Sequence, residues 1–146
     1  MTVLKAARTT QDLVTSEFTF NFDDTMTDKD GVSKDFKTTG TSIVADVINL
    51  PPNSVIVSGE VVTETAVAGS TAYNISVGDS GSATRYLGAT SIKSAARTAL
   101  TLTGYRGTGE DVRRTFANAG GDATAGTVSV RVQYIVTGRT NETQIA

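Results

Sequence analysis

Cysteine, histidine and tryptophan are absent from this chain, proline occurs twice, and aromatic residues make up 6% of it. Without cysteine there is no disulfide, no thiolate nucleophile and no cysteine-based zinc site. Without histidine, a Ser–His–Asp arrangement and the commonest general base near neutral pH are excluded. No apolar run approaches the roughly 18 residues of a membrane-spanning helix, and no secretory pattern of charged then apolar residues opens the chain. The expectation is a protein made in a reducing cytoplasm, with no cofactor, no metal and no membrane partner.

What is present favours pleated, half-buried surfaces. About one residue in six is threonine, valine and isoleucine fill the ordered runs, and glycine (14) far outnumbers proline (2). That mixture suits strands. A chain of 146 residues is long enough for one domain with a real core, burying about 68–70% of its unfolded surface.

Residues 41–65 organise the rest. Asn49, Leu50, Pro51, Pro52 and Asn53 form a corner, because a double proline cannot continue a sheet ladder. Beyond it, strict alternation places Val55, Val57, Gly59, Val61 and Thr63 on one face of a long strand. Ile56, Ser58, Glu60, Val62 and Glu64 then make a more polar outer face. Earlier, Glu17 to Asp24 reads as a strand with Phe18, Phe20 and Phe22 together on the core side. Asp24 to Lys37 reads as a loop. Within it, Asp28-Lys29-Asp30-Gly31 is a turn closed by aspartate and glycine, since the late acidic position of a calcium loop is missing.

Further strands are expected over Thr71 to Val77, Ala83 to Leu87 and Thr98 to Thr103. Two more follow over Val112 to Ala117, with Arg113 exposed on one face and Arg114 on the other, and over Thr127 to Thr137. Gly88 to Ala96 reads as irregular, with one helical turn near Ser91 to Ala95. The last strand turns Val128, Val130, Val132, Tyr134 and Val136 inward, and Ser129, Arg131 and Gln133 outward. About eight antiparallel strands separated by turns predict an all-β sandwich, jelly-roll-like in count.

The glycine-rich strings Gly78 to Ser82 and Gly104 to Gly109 lack the strand and helix that phosphate or dinucleotide binding requires. Glu60 with Glu64, and Glu110 with Asp111, are conceivable carboxylate pairs. The first lie about 13 Å apart along a strand and the second point apart, so no catalytic residue is expected. Net charge is −2 but unevenly spread. Residues 16–37 are acidic and residues 85–114 basic, as solvated loop charges or as patches that meet a partner or another copy. The basic stretch lacks aromatic interleaving, and no nucleic-acid partner is expected.

Residues 1–15 show no strand alternation. They read either as a frayed terminus or as an arm that orders on a neighbour by backbone pairing. Val3, Leu4, Lys5, Arg8, Thr10 and Leu13 are its candidate partner contacts. The expected organisation is this arm followed by a single domain over residues 16–146.

Three segments, in order, resemble a known family. They are Leu50-Pro-Pro-Asn-Ser-Val-Ile-Val-Ser-Gly-Glu-Val-Val, Ser76-Val-Gly-Asp-Ser-Gly-Ser-Ala-Thr-Arg-Tyr-Leu, and Asp122 to Val136 followed by Gly138-Arg-Thr-Asn-Glu. Together they are similar to small virion proteins of tailed bacteriophages that decorate or cement the head, over roughly residues 41–142. The resemblance implies a sandwich or jelly roll bound to the outer capsid surface as a homotrimer. Its partner would be the major capsid protein and its role to clamp neighbouring shell subunits, without an active site. A tail, connector or fibre-base component, or a carbohydrate-binding adhesion module, would use similar sandwich physics.

Overall fold

The computed structural model of the protein describes residues 13–137. Among these, ten strands form: β1 (Val14–Asn21), β2 (Thr25–Thr27), β3 (Ser33–Asp35), β4 (Ser42–Ile48), β5 (Ser54–Ala68), β6 (Ala72–Gly78), β7 (Leu87–Ser91), β8 (Ala96–Ala99), β9 (Val112–Ala119) and β10 (Ala125–Val136). Two four-stranded sheets, β1-β10-β5-β8 and β4-β9-β6-β7, face each other, and β2 with β3 makes a small separate hairpin. With that hairpin set aside, the outermost strands of the chain pair with each other, then the next inward: β1 with β10, β4 with β9, β5 with β8, β6 with β7. All four pairs are antiparallel. Such nested pairing, dealt alternately to two sheets, is the topology of a jelly roll. The expected all-β antiparallel sandwich is therefore what the chain forms.

The core fills the space between the sheets. Phe20, Ile43, Val61, Ile75, Val77, Val112, Phe116, Val128, Val130 and Val132 are each at most 2% exposed. Of the three phenylalanines of β1, Phe20 is fully buried, while Phe18 and Phe22 pack against the core from its margin. The proline corner lies between β4 and β5 as expected. Asn53 takes a left-handed backbone conformation there (φ 66°), one that asparagine tolerates, and Ser54 Oγ donates to Pro51 O at 2.5 Å.

The strict alternation expected for β5 does not hold. Ile56 is buried and Val57 is 41% exposed, the reverse of the expected faces. Ser58 pairs with Gln133 and Ile56 with Tyr134, which leaves Val57 as an extra residue opposite β10. This bulge switches the faces, so that beyond it Val61 and Thr63 point inward as the pattern predicts. Gly59, just past the bulge, sits beneath Leu100, and a Cβ there would collide with the Leu100 side chain.

Four other expectations are corrected. The loop assigned to Asp24–Lys37 contains the β2–β3 hairpin, and it delivers Phe36 into the core at 1% exposure. Its Asp28 turn is as read: Asp28 Oδ1 accepts from the N–H groups of Asp30 (2.9 Å) and Val32 (3.1 Å), and Gly31 has φ 78°. The strand placed at Ala83–Leu87 instead runs Leu87–Ser91, because Asp79 captures the N–H groups of Gly81 and Ser82 and an ion pair from Arg85, holding that stretch as a turn. No helical turn forms at Ser91–Ala95, and the strand expected at Thr98–Thr103 is β8, ending at Ala99.

Candidate interaction surface

The sheet β1-β10-β5-β8 turns one face outward, and its polar residues are ordered in rows by register. Thr15, Gln133 and Ser58 form one row; Glu17, Arg131, Glu60 and Ala99 form the next; Thr19, Ser129, Val62 and Arg97 form a third. Charges alternate across the four strands. Arg131 Nε reaches Glu17 Oε2 at 2.9 Å, Arg131 Nη1 lies 3.5 Å from Glu60 Oε1, and Arg97 Nη2 lies 2.6 Å from Glu60 Oε2. Opposite charges on neighbouring strands add to pairing, each by about 0.2–1 kcal/mol. The Arg131 hydrogen bond holds the Glu17 carboxyl below the ordinary glutamate value, and Glu17 in turn raises Arg131. Ser129, expected to face solvent, is covered by Thr19 (2.8 Å) and by Glu64 (3.1 Å) on either side. A half-open depression of about 340 Å³ lies among Thr15, Ser58, Glu60, Arg97, Arg131 and Gln133.

This arrangement does not suit catalysis. Arg131 stands between Glu60 and Glu64, with its Nη2 3.9 Å from Glu64, so both carboxylates serve one guanidinium. Glu110 accepts from the hydroxyl of Thr108, from the Thr108 N–H and from Tyr105, and the Thr108 hydroxyl leads in pushing its pKa down to about 2. It is ionised at neutral pH and has no proton to donate. No group of three or more potential metal-ligating side chains exists among the described residues. No helix there is long and apolar enough to cross a membrane.

Four of the six bases at 85–114 are neutralised or withdrawn from solvent. Arg85 pairs with Asp79, Arg97 with Glu60, and Arg113 with Asp46 at 2.7 Å, while Arg114 is wholly buried. Of the proposed partner contacts, Val3, Leu4, Lys5, Arg8 and Thr10 lie outside the described residues. Leu13 is 53% exposed immediately before β1. Val14 and Val57, each 41% exposed, lie at the same end of the sheet, since Val14, Tyr134 and Ile56 share one row. The alternating charge row was missed in the sequence, although its members stood on strands already recognised. Glu17 and Arg131 are 114 residues apart and only the register brings them together.

No protein-family model and no curated protein sequence matches the chain. Solved structures do match along most of its length. A chain in the capsid asymmetric unit of cyanophage Pam1 aligns with a TM-score of 0.60 at 22% identity, covering 92% of each chain. A chain in the acid-stable capsid of Helicobacter pylori bacteriophage KHP30 aligns with 0.56 at 14% identity, over 88% of this chain and 89% of that one. A chain in the capsid of Ralstonia phage GP4 aligns with 0.53 at 17% identity, over 92% and 88%. The fold is one found in phage capsids. At these identities the likeness extends to the path of the backbone and not to individual side chains, and it accords with the phage resemblance carried by the three sequence segments.

Four carboxylates, one on this sheet and three on loops and the small hairpin, set an acid limit. Glu17, Asp28, Asp35 and Glu110 are all held below their ordinary values, first of all by Arg131, Lys34, the Thr38 N–H and the Thr108 hydroxyl respectively. A depressed folded-state pKa contributes stability that is complete above the unfolded value and is lost as pH falls through the folded one. The unfolded values are 3.8 for aspartate and 4.5 for glutamate. Thermal stability is therefore expected to hold steady down to about pH 4.5 and to fall toward about pH 2. Glu110→Gln should flatten the lowest part of that fall. A melting temperature independent of pH across this range would contradict the assignment.

Proposed function

We propose that the protein is a structural component of a phage virion, acting as a decoration or cement protein on the outer surface of the head. It binds the major capsid protein there and clamps neighbouring shell subunits, with self-association into a trimer. The observation that carries this reading is the alignment of a complete jelly roll, over 92% of both chains, with a chain of a phage capsid. The sandwich offers a rigid body, the charges of its outward sheet pair with one another, and a repeating lattice lets many weak contacts sum.

The carbohydrate-binding reading loses its main requirement. Tyr73 and Tyr86 are buried, Tyr105 lies under the Arg85 guanidinium at 3.6 Å, and Tyr134 packs against the core. No aromatic ring is left as an open stacking platform among the described residues.

The test is binding of the purified protein to phage heads that lack it, followed by heating to find the temperature at which the heads release their DNA. Bound protein should raise that temperature. Deleting residues 1–12, which spares β1, should weaken head binding at least tenfold while leaving the melting temperature of the isolated domain unchanged. Heads that ignore the full chain would refute the reading. Undiminished binding by the truncated chain would remove the arm, with Val3, Leu4, Lys5, Arg8 and Thr10, from the contact.

A further inference from the structure

The four sheet edges are not equally guarded. The edge at β4 is covered by the small hairpin, where Lys29 N–H donates to Val44 O at 2.7 Å and Lys34 Nζ to Ser42 O at 3.0 Å. The edge at β7 is five residues long and its pairing with β6 is broken by an irregularity. The other sheet ends at β1 and at β8, and no strand among the described residues pairs with the outer side of either. β1 spans eight residues in unbroken register with β10 and contains neither proline nor a bulge. Natural proteins rarely leave so regular an edge bare, because its N–H and C=O groups are a template for another strand.

Charge indicates which strand fits. The outward face alternates Glu17, Arg131, Glu60, Arg97 from β1 to β8, so the sheet ends negative at one edge and positive at the other. The two end groups are also accessible: the Glu17 side chain is 45% exposed and that of Arg97 is 73% exposed. Two β1 edges brought together would oppose Glu17 to Glu17, and two β8 edges would oppose Arg97 to Arg97. Only β8 against β1 continues the alternation. Backbone direction agrees. The four strands run antiparallel throughout, so β8 runs opposite to β1, and a second copy placed head to tail presents an antiparallel partner.

We infer that copies of this chain associate head to tail through the outward-facing sheet, the β8 edge of one copy pairing with the β1 edge of the next and Arg97 meeting Glu17 across the joint. Such a heterologous contact closes into a ring when each step turns by a fixed angle. It supplies the self-association expected of a trimer, and it rests on the sheet alone, independently of any place in a virion.

Because the chain has no cysteine, thiols can be introduced one at a time. Thr15 and Ala99 are exposed on the outward faces of β1 and β8. Within one copy these strands are three spacings apart, about 14 Å, beyond the reach of a short bis-maleimide. The full chain carrying Thr15→Cys and Ala99→Cys, which face each other when Arg97 lies opposite Glu17, should cross-link into covalent trimers, while either single variant stays monomeric on a denaturing gel. Adding Glu17→Lys to the double variant should abolish the trimer band at low salt. Dimers from either single variant would instead show like edges meeting, and a double variant that remains monomeric would show no joint at all. Either result overturns the inference, as does a trimer band indifferent to Glu17→Lys. Since the isolated protein is used, failure here leaves the head-binding result untouched.

Discussion

Phe116→Ala is expected to destabilise the domain by about 3–5 kcal/mol, the range for removing a buried aromatic side chain. Phe116 is 1% exposed and stands where three parts of the chain meet. Its ring lies edge-on to Phe20 of β1 at 4.6 Å and to Phe36, beyond the β2–β3 hairpin, at 5.0 Å. Phe20 and Phe36 are stacked on each other at 4.4 Å. One sheet contributes Phe116, the opposite sheet Phe20, and the inserted hairpin Phe36, so truncation leaves a void that no single element can close. Such ring pairs add about 0.5–1.5 kcal/mol beyond their burial. A loss of that size is a large part of the roughly 5–15 kcal/mol that holds a typical domain together. The melting temperature should drop by about 10–15 °C, with Phe116→Leu losing less. A loss under about 1 kcal/mol in denaturant titration would mean that the aromatic cluster does not join the sheets.

The parts of this fold that were legible in the sequence are those where neighbours along the chain decide the structure. Phe18, Phe20 and Phe22 share a face because side chains alternate, and the double proline must interrupt a ladder. Val128, Val130 and Val132 repeat without exception. Where tertiary contacts intervene, local reading failed for identifiable reasons. The bulge at Val57 depends on β10 being three residues shorter than β5 (15 against 12) over the paired length. The position of β7 depends on Asp79 gathering Gly81, Ser82 and Arg85 into a turn. Phe36 looked like a loop residue, since nothing near it in sequence shows that Phe20 and Phe116 wait for it. The charge row had the same difficulty. Glu60 and Arg97 are 37 residues apart, and their meeting is a property of strand order rather than of any motif.

Arg114→Met is expected to stabilise the domain by about 1–4 kcal/mol, as replacement of a buried charge by an apolar side chain of similar reach often does. Periodicity placed Arg114 opposite Arg113 on β9 without saying which face was the core. The structure puts it inside, between Val112 and Phe116 and 0% exposed. Its guanidinium crosses to the other sheet at the paired residues Phe18 and Val130. There Nη2 donates to Val130 O at 3.3 Å and Cζ lies 4.6 Å from the Phe18 ring centre. Nε and Nη1 have no hydrogen-bond partner, and no carboxylate among the described residues forms an ion pair with it. One long hydrogen bond and one ring face offset the loss of water poorly. Burial pushes the Arg114 pKa down to about 9, which leaves it charged at neutral pH. From about pH 9 up to the ordinary arginine range the unfolded chain holds this proton more firmly than the folded one, so the penalty diminishes as pH rises. The advantage of Arg114→Met should accordingly be largest near pH 7 and shrink above pH 9, whereas Arg114→Ala, which adds a cavity, should fare worse than Arg114→Met at every pH. A methionine variant less stable than the parent at pH 7 would show that the buried guanidinium strengthens the sandwich instead of straining it.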